Sequence, residues 1–141
     1  MQIAFLHGAA PQLLSVLRII AAASFFTHGM VKLFGWPAPF EYPLNALLLL
    51  AGFLEVIGGM LLMIGLFSRQ VAFLLSGQMA FAYFIGHGSE GFFPALNGGE
   101  AAMLFCFLFL FFYIAAAGPG PWSLDEVASK APPVQQAGPS N

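Results

Sequence analysis

Four runs of apolar residues, each long enough to cross a lipid bilayer as a helix, dominate this sequence. They cover residues 12–34, 44–67, 70–87 and 98–117. A helix rises about 1.5 Å per residue, so about 20 residues span a hydrocarbon core of about 30 Å. An open sheet edge cannot satisfy its hydrogen bonds in lipid, whereas a helix can. The pattern predicts an all-α integral membrane protein, a four-helix bundle with four crossings.

The composition supports lipid as the main surroundings of this chain. Of its 141 residues, 60% are hydrophobic and only 7% are charged. A soluble domain carries about 25% charged residues. We therefore expect the chain to be embedded in the lipid bilayer, which is its main partner. The net charge of −2 gives no basis for nucleic-acid binding.

Segments rich in proline and polar residues separate and flank the predicted helices. Residues 1–11 are expected to form an N-terminal cytoplasmic segment that is retained, because residues 1–17 hold no Lys or Arg for a signal peptide. Residues 35–43 contain three prolines and three aromatic residues, which suits an interfacial loop. Residues 118–141 are predicted to be a flexible tail. A single membrane domain, 12–117, lies between these ends.

Basic residues predict the orientation of the chain in the membrane. With four crossings, Arg18, Arg69 and Lys130 fall on one side and only Lys32 falls on the other. Loops with more Lys and Arg tend to stay in the cytoplasm. Both termini are therefore expected to be cytoplasmic.

Ionisable residues at membrane depth are costly, so each is a candidate functional residue. Arg18, His28 and Lys32 fall within about 80° of one another on a helical wheel and share one face. Glu55 lies among small residues in the second run, which let another helix approach closely. We expect a cation from the first helix to reach Glu55 there.

Further polar residues cluster toward the predicted outer end of the helices. The candidate ligand-binding or intramembrane polar cluster comprises Arg18, His28, Lys32, Glu55, Tyr83, His87, Asn97 and Glu100. Ion pairs that fix helix register, a site that binds or converts a ligand, and an ion or proton path are the three interpretations left open. No catalytic residue is assigned.

The sequence contains no specific metal-binding or cofactor-binding motif. His28 and His87 lie at similar predicted depths, so a haem held by both is one interpretation and a zinc site that adds Glu100 is another. Neither is favoured, because the residues are far apart in the chain. No metal ligand is assigned. Cys106 stands alone in an apolar run and is expected to be a small buried residue, so the chain by itself is not a dithiol enzyme.

Taken together, several short motifs resemble those of the DoxX family across residues 13–127. They are Arg18 with Thr27–Gly35, Ala51–Gly59, Gly65–Arg69, Ala82–His87, Phe93-Pro94 with Asn97–Glu100, and Gly118–Asp125. The family is named for its similarity to a small subunit of a thiosulfate:quinone oxidoreductase. Other relatives are linked to membrane-associated oxidoreductase complexes and to oxidative-stress resistance.

The resemblance implies a multi-pass protein of the bacterial inner (plasma) membrane. Its expected function is that of a small membrane subunit of a redox system, whose polar pocket binds a quinone or a similar lipophilic ligand. Any enzymatic activity would be that of an oxidoreductase subunit that depends on a redox partner protein. A homo-oligomer is also considered. The alternative is a non-catalytic membrane scaffold or assembly factor for a partner protein.

Overall fold

Helices form the regular structure of this chain. The computed structural model describes residues 3–90 and 99–132, together with 93 and 96, and this part of the chain contains five α-helices and no β-strand. The helices are α1 (Ala4–Phe34), α2 (Ala46–Ile64), α3 (Ser68–Gly86), α4 (Gly99–Ala117) and α5 (Leu124–Lys130). A 3₁₀ turn, Gly88–Glu90, follows α3. The prediction of an all-α protein is confirmed.

Three helices are long and apolar enough to cross a membrane: Leu6–Phe34 within α1, the whole of α2 and the whole of α4. Helix α3 is as long as α2 and α4, at 19 residues each. It is less apolar, because it contains Ser68, Arg69, Gln70, Ser76 and Gln78. Multiple membrane passes follow from the first three helices, and a fourth pass through α3 stays a prediction.

The first two helices are antiparallel neighbours in very close contact. A Cβ atom added to Gly29 of α1 would lie 2.8 Å from the Val56 amide nitrogen of α2. One added to Gly59 of α2 would lie 2.9 Å from the Phe26 amide nitrogen of α1. Only glycine permits this separation. The close helix contact predicted around Glu55 is therefore confirmed.

The hydrophobic core lies mainly between α3, α4 and the middle of α1. Phe25 of α1 packs edge-on against Phe111 of α4, with ring centroids 5.0 Å apart. Tyr83 of α3 packs against Phe105 of α4 at 5.4 Å. Ser76 satisfies its hydroxyl within the protein by donating to the Leu108 carbonyl at 2.8 Å. Helices α3 and α4 thus form a second tightly packed pair.

Helices α2 and α3 touch mainly near the turn that joins them. A Cβ atom on Gly58 would lie 2.9 Å from Leu75 Cδ2, so the two helices are in close contact at that level. Nearer the 35–45 loop, a groove separates them. We call the end of the helices that bears this loop the loop end.

Residues 118–123, which we call the strap, cross the opposite end of the helices. The Trp122 amide donates to Ser15 Oγ at 3.1 Å, and Arg18 binds two strap carbonyls. Ser123 then caps α5 by accepting from the Glu126 amide at 3.2 Å. Residues 118–132 therefore have a defined conformation, unlike the flexible tail expected from residue 118 onward. The expectation for 133–141 lies outside the described residues.

The predicted helix bounds hold to within a few residues, except at the start of α1. This helix begins at Ala4, eight residues before the predicted start at 12, and continues through Pro11. Residues 4–11 of the predicted N-terminal segment are thus helical. At the other end of α1, Gly35 adopts a left-handed conformation with φ of 62° and stops the helix.

Candidate ligand-binding site

Two adjoining cavities lie toward the loop end of the helices, and the outer one continues along α3 as far as Gln70. The inner cavity, of about 300 Å³, lies among α1, α2, α3 and α4. The outer groove, of about 1230 Å³, runs between α2 and α3. Both are lined by Lys32, Phe40, Glu55, Met79, Glu100 and Leu104. These six residues form the boundary at which the inner cavity and the outer groove meet.

A charged pair occupies this boundary. Lys32 Nζ of α1 lies 2.5 Å from Glu55 Oε1 of α2. Helical periodicity places both residues on facing sides of the α1–α2 contact, so the expected cation partner of Glu55 is confirmed. Glu55 is only 1% exposed, whereas the Lys32 side chain is 20% exposed. A buried carboxylate is stabilised only when it is paired and hydrogen-bonded.

Gln78 of α3 completes the polar cluster. Its Nε2 donates to Glu55 Oε1 at 3.1 Å and is 3.4 Å from the Ala51 carbonyl. Three helices therefore converge on one carboxylate. The sequence gave no signal that Gln78 and Glu55 are partners, because the position of α3 against α2 is a tertiary property.

Two oxygen atoms of this cluster have unfilled hydrogen-bonding capacity. Glu55 Oε2 and Gln78 Oε1 are buried and have no hydrogen-bond partner among the described residues. A buried polar atom without a partner costs about 1–3 kcal/mol. Since both residues line the groove and Glu55 also lines the inner cavity, a bound molecule with a donor group would relieve this cost.

The other predicted site residues distribute between the two cavities. His28 lines the inner cavity and His87 lines the outer groove. Glu100, in the first turn of α4, lines both. Tyr83 is buried against Phe84 and Phe105 and lines neither cavity. Asn97 lies outside the described residues.

This distribution bears on the metal alternatives. His28 lines the inner cavity and His87 the outer groove, so a haem held by both stays an untested interpretation. Among the residues described, no three His, Cys, Asp or Glu side chains are grouped closely enough to share a metal ion. The zinc site considered from His28, His87 and Glu100 has no geometric support.

Arg18 lies at the strap end, away from the Lys32–Glu55 pair. Its guanidinium donates to the Pro119 carbonyl at 2.5 Å and the Trp122 carbonyl at 2.6 Å. A longer contact of 3.4 Å reaches the Met63 carbonyl at the end of α2. Although Arg18 shares a helix face with His28 and Lys32, the structure gives it backbone partners and not a place in the cavities.

Aromatic and sulfur-containing side chains line the inner cavity around the polar groups. Half of the residues that line it are of these types: Phe25, Phe40, Phe107, Met79 and Met103. The sequence did not single them out, since nothing distinguishes them from core residues of the same types. Such a cavity, apolar with a few convergent polar groups, is the usual form of a small-molecule site.

The phenylalanines of helix α4 face both the interior and the surface of the protein. Phe111 is fully buried and Phe107 lines the inner cavity, whereas Phe109 and Phe112 are exposed. Cys106 is exposed, so the expectation that it is buried was wrong. The apolar run alone cannot show which residues face inward, because almost every position of α4 is apolar.

These features define an α-helical, multi-pass membrane protein with a polar pocket among its helices. The chain belongs to the DoxX family, whose model matches residues 13–88. An uncharacterized protein of Haemophilus influenzae is 44% identical over 105 residues, covering 70% of this chain and 78% of the relative. No solved structure matches the chain. Family membership is therefore shown over most of the region in which the motifs resemble DoxX.

Proposed function

We propose that this DoxX protein is a membrane subunit of a redox system and that its pocket binds a quinone or a similar lipophilic ligand. The observation that carries the proposal is the Lys32–Glu55–Gln78 cluster, buried where two mostly apolar cavities meet. A quinone needs an apolar slot for its ring and hydrogen-bond donors for its carbonyl oxygens. Lys32 is the donor placed at that boundary.

The chemistry of the cluster suits a ligand that gains electrons. Reduction of a quinone to a quinol consumes two electrons and two protons. Lys32 would stabilise negative charge on a quinone oxygen, and Glu55, His28 or Glu100 would relay protons to it. The electrons would come from a redox partner protein, because this chain has no flavin-binding, iron–sulfur or dithiol motif.

The proposed setting is the bacterial inner membrane, with four crossings and both termini in the cytoplasm. Two polar side chains of α3 support a fourth crossing because their donors bond within the protein: Ser76 to Leu108, and Gln78 to Glu55. Arg69 at the start of α3 donates to the Ala115 and Ala116 carbonyls that end α4. Donors that bond within the protein do not need water, which favours placing α3 in lipid.

Cysteine accessibility on intact cells tests this topology. In a Cys106→Ala background, Ala38→Cys in the 35–45 loop should react with a membrane-impermeant maleimide. Ser129→Cys in α5 should react only after the cells are opened. The reverse pattern would contradict the orientation, and reaction of both on intact cells would contradict the four crossings.

Extraction of the gently purified protein tests the ligand. We expect the organic extract of the wild type to contain close to one quinone per chain. The extract of Lys32→Met should contain much less quinone per chain. Absence of a bound quinone together with no binding on titration would overturn the proposal. A stoichiometric partner that stays bound to the Lys32→Met and Glu55→Gln variants would instead support the scaffold alternative.

A further inference from the structure

The outer groove extends well beyond the polar cluster, farther than a quinone ring requires. Its wall on α3 is a continuous helical stripe of Gln70, Phe73, Leu74, Gly77, Gln78, Phe81, Ala82, Ile85 and Gly86. At about 1.5 Å per residue this stripe is about 24 Å long. Its wall on α2 consists of Leu47, Leu48, Leu50, Ala51, Leu54 and Glu55. Polar atoms occur on this surface mainly near Glu55 and at its two ends.

From this arrangement we infer that the site takes a two-part ligand, with its ring in the inner cavity and a long hydrocarbon tail in the outer groove. The inference rests on the proposed function and specifies its ligand as a quinone with a polyprenyl tail. A small ring suits the inner cavity of about 300 Å³, at the lower end of the usual range for ligand pockets. A tail needs the long apolar groove.

The buried carboxylate points to an occupant at the junction of the two parts. Glu55 is 1% exposed, lines both cavities, and has one oxygen without a partner among the described residues. A purely lipid-filled groove would leave this oxygen unsatisfied. The reduced form of the ligand, the quinol, carries two hydroxyl groups that can donate, so a quinol ring held at this junction by its tail satisfies the oxygen.

The groove also gives the ligand a route from the bilayer. Leu50, Phe73 and Ile85 line it and are more than half exposed on the outer face of α2 and α3. In a membrane these side chains face the hydrocarbon core. A molecule dissolved in the bilayer can therefore enter sideways between α2 and α3 without crossing water.

Gly77 offers a way to fill the groove without touching the polar cluster. No atom of another part of the protein lies within 4 Å of a Cβ atom built on this residue, which lines the groove, so there is open space in which to add a side chain. Gly8 of α1 is the matched control, because it is also an open helical glycine and it lines neither cavity.

Binding of two probes to wild type, Gly77→Phe and Gly8→Phe tests the inference. The probes are a polyprenyl quinone and the same ring without its tail, titrated into protein in one detergent. We expect Gly77→Phe to weaken binding of the tailed quinone by about tenfold or more, since each buried methylene adds to affinity. Binding of the tail-less ring should stay within about twofold. Gly8→Phe should match wild type for both probes.

The other outcomes separate the two proposals. If wild type binds both probes and Gly77→Phe binds the tailed quinone as wild type does, the tail inference is overturned and the proposed function stands. If wild type binds neither probe, both fail. If Gly77→Phe instead converts a dimer to a monomer, the groove is covered by a second copy of the chain and the tail inference is overturned.

Discussion

Lys32 and Glu55 form an ion pair that joins α1 to α2 at the boundary of the two cavities. The pair is asymmetric, since Glu55 is almost completely buried and Lys32 is partly exposed. Removal of the cation leaves a buried carboxylate supported by Gln78 alone. Removal of both charges leaves only a neutral amide, which is far cheaper to bury.

A double-mutant cycle on this pair should therefore be strongly non-additive. We expect Lys32→Met to lower the free energy of unfolding by about 3 kcal/mol. Adding Glu55→Gln to that variant should recover most of the loss, because no unpaired charge remains. Thermal or denaturant unfolding in detergent measures both. If the losses of the two single variants simply add in the double variant, Lys32 and Glu55 are not energetically coupled, and this prediction is wrong.

Arg18 should stabilise the strap end and not the pocket. We expect Arg18→Met to lower the free energy of unfolding by at least about 2 kcal/mol, because it removes charged donors from the Pro119 and Trp122 carbonyls. Limited proteolysis should then cleave within residues 118–132. Lys130→Met, which removes only an exposed pair with Glu126, should change stability by less than about 0.5 kcal/mol. Equal effects of the two substitutions would contradict this account.

Asp125 should make the strap end sensitive to acid. Its carboxylate accepts from the Ser68 amide at 2.7 Å and the Phe67 amide at 2.8 Å, at the start of α3. Partial burial acts to raise the pKa of Asp125, but these amides and the Arg18 charge outweigh it and hold the pKa below its usual value. A lowered pKa stabilises the fold above about pH 3.9 and loses that contribution as pH falls through the folded value.

Unfolding followed from pH 6 to pH 2.5 tests the role of Asp125. The wild type should lose stability below about pH 3.9, and Asp125→Asn should lose less over the same range because its side chain does not titrate. The variant should also be less stable than wild type at pH 6. Equal losses of stability at acid pH for the wild type and Asp125→Asn would contradict this role of Asp125.

Two glycines should respond in opposite ways to the same substitution. Gly59→Ala places a Cβ atom 2.9 Å from the Phe26 amide nitrogen, so α1 and α2 must separate, at a cost of about 1–3 kcal/mol. Gly77→Ala meets no neighbouring atom and should stabilise α3 by about 0.5–1 kcal/mol. Melting temperatures in one detergent measure both, and a shift of equal sign would be inconsistent with the structure.

The sequence was sufficient to predict what depends on periodicity along one helix. The apolar runs predicted the helices to within a few residues, apart from the start of α1. The spacing of small residues around Glu55 predicted a close contact, and Lys32 supplied the cation. These features are local, so they can be derived from helical periodicity and from the cost of burying a charge.

The remaining features depend on how separate segments meet. Arg18 shares a wheel face with Lys32, yet its partners are backbone carbonyls of Pro119 and Trp122, which have no side-chain signature in the sequence. The groove exists because α2 and α3 are in contact near Gly58 and apart near the loop end. The sequence contains no signal for that separation.

Photolabelling by a membrane-dissolved quinone tests the central claim most directly. A photoreactive azidoquinone would be added to membranes containing the protein, and the labelled peptides identified by mass spectrometry. The account predicts labelling among residues 25–32, 51–55, 77–82 and 100–107, which line the two cavities. Excess tailed quinone should compete, and Lys32→Met should reduce the label. Labelling confined to exposed positions such as Phe109 and Phe112, without competition, would contradict a quinone site in the pocket.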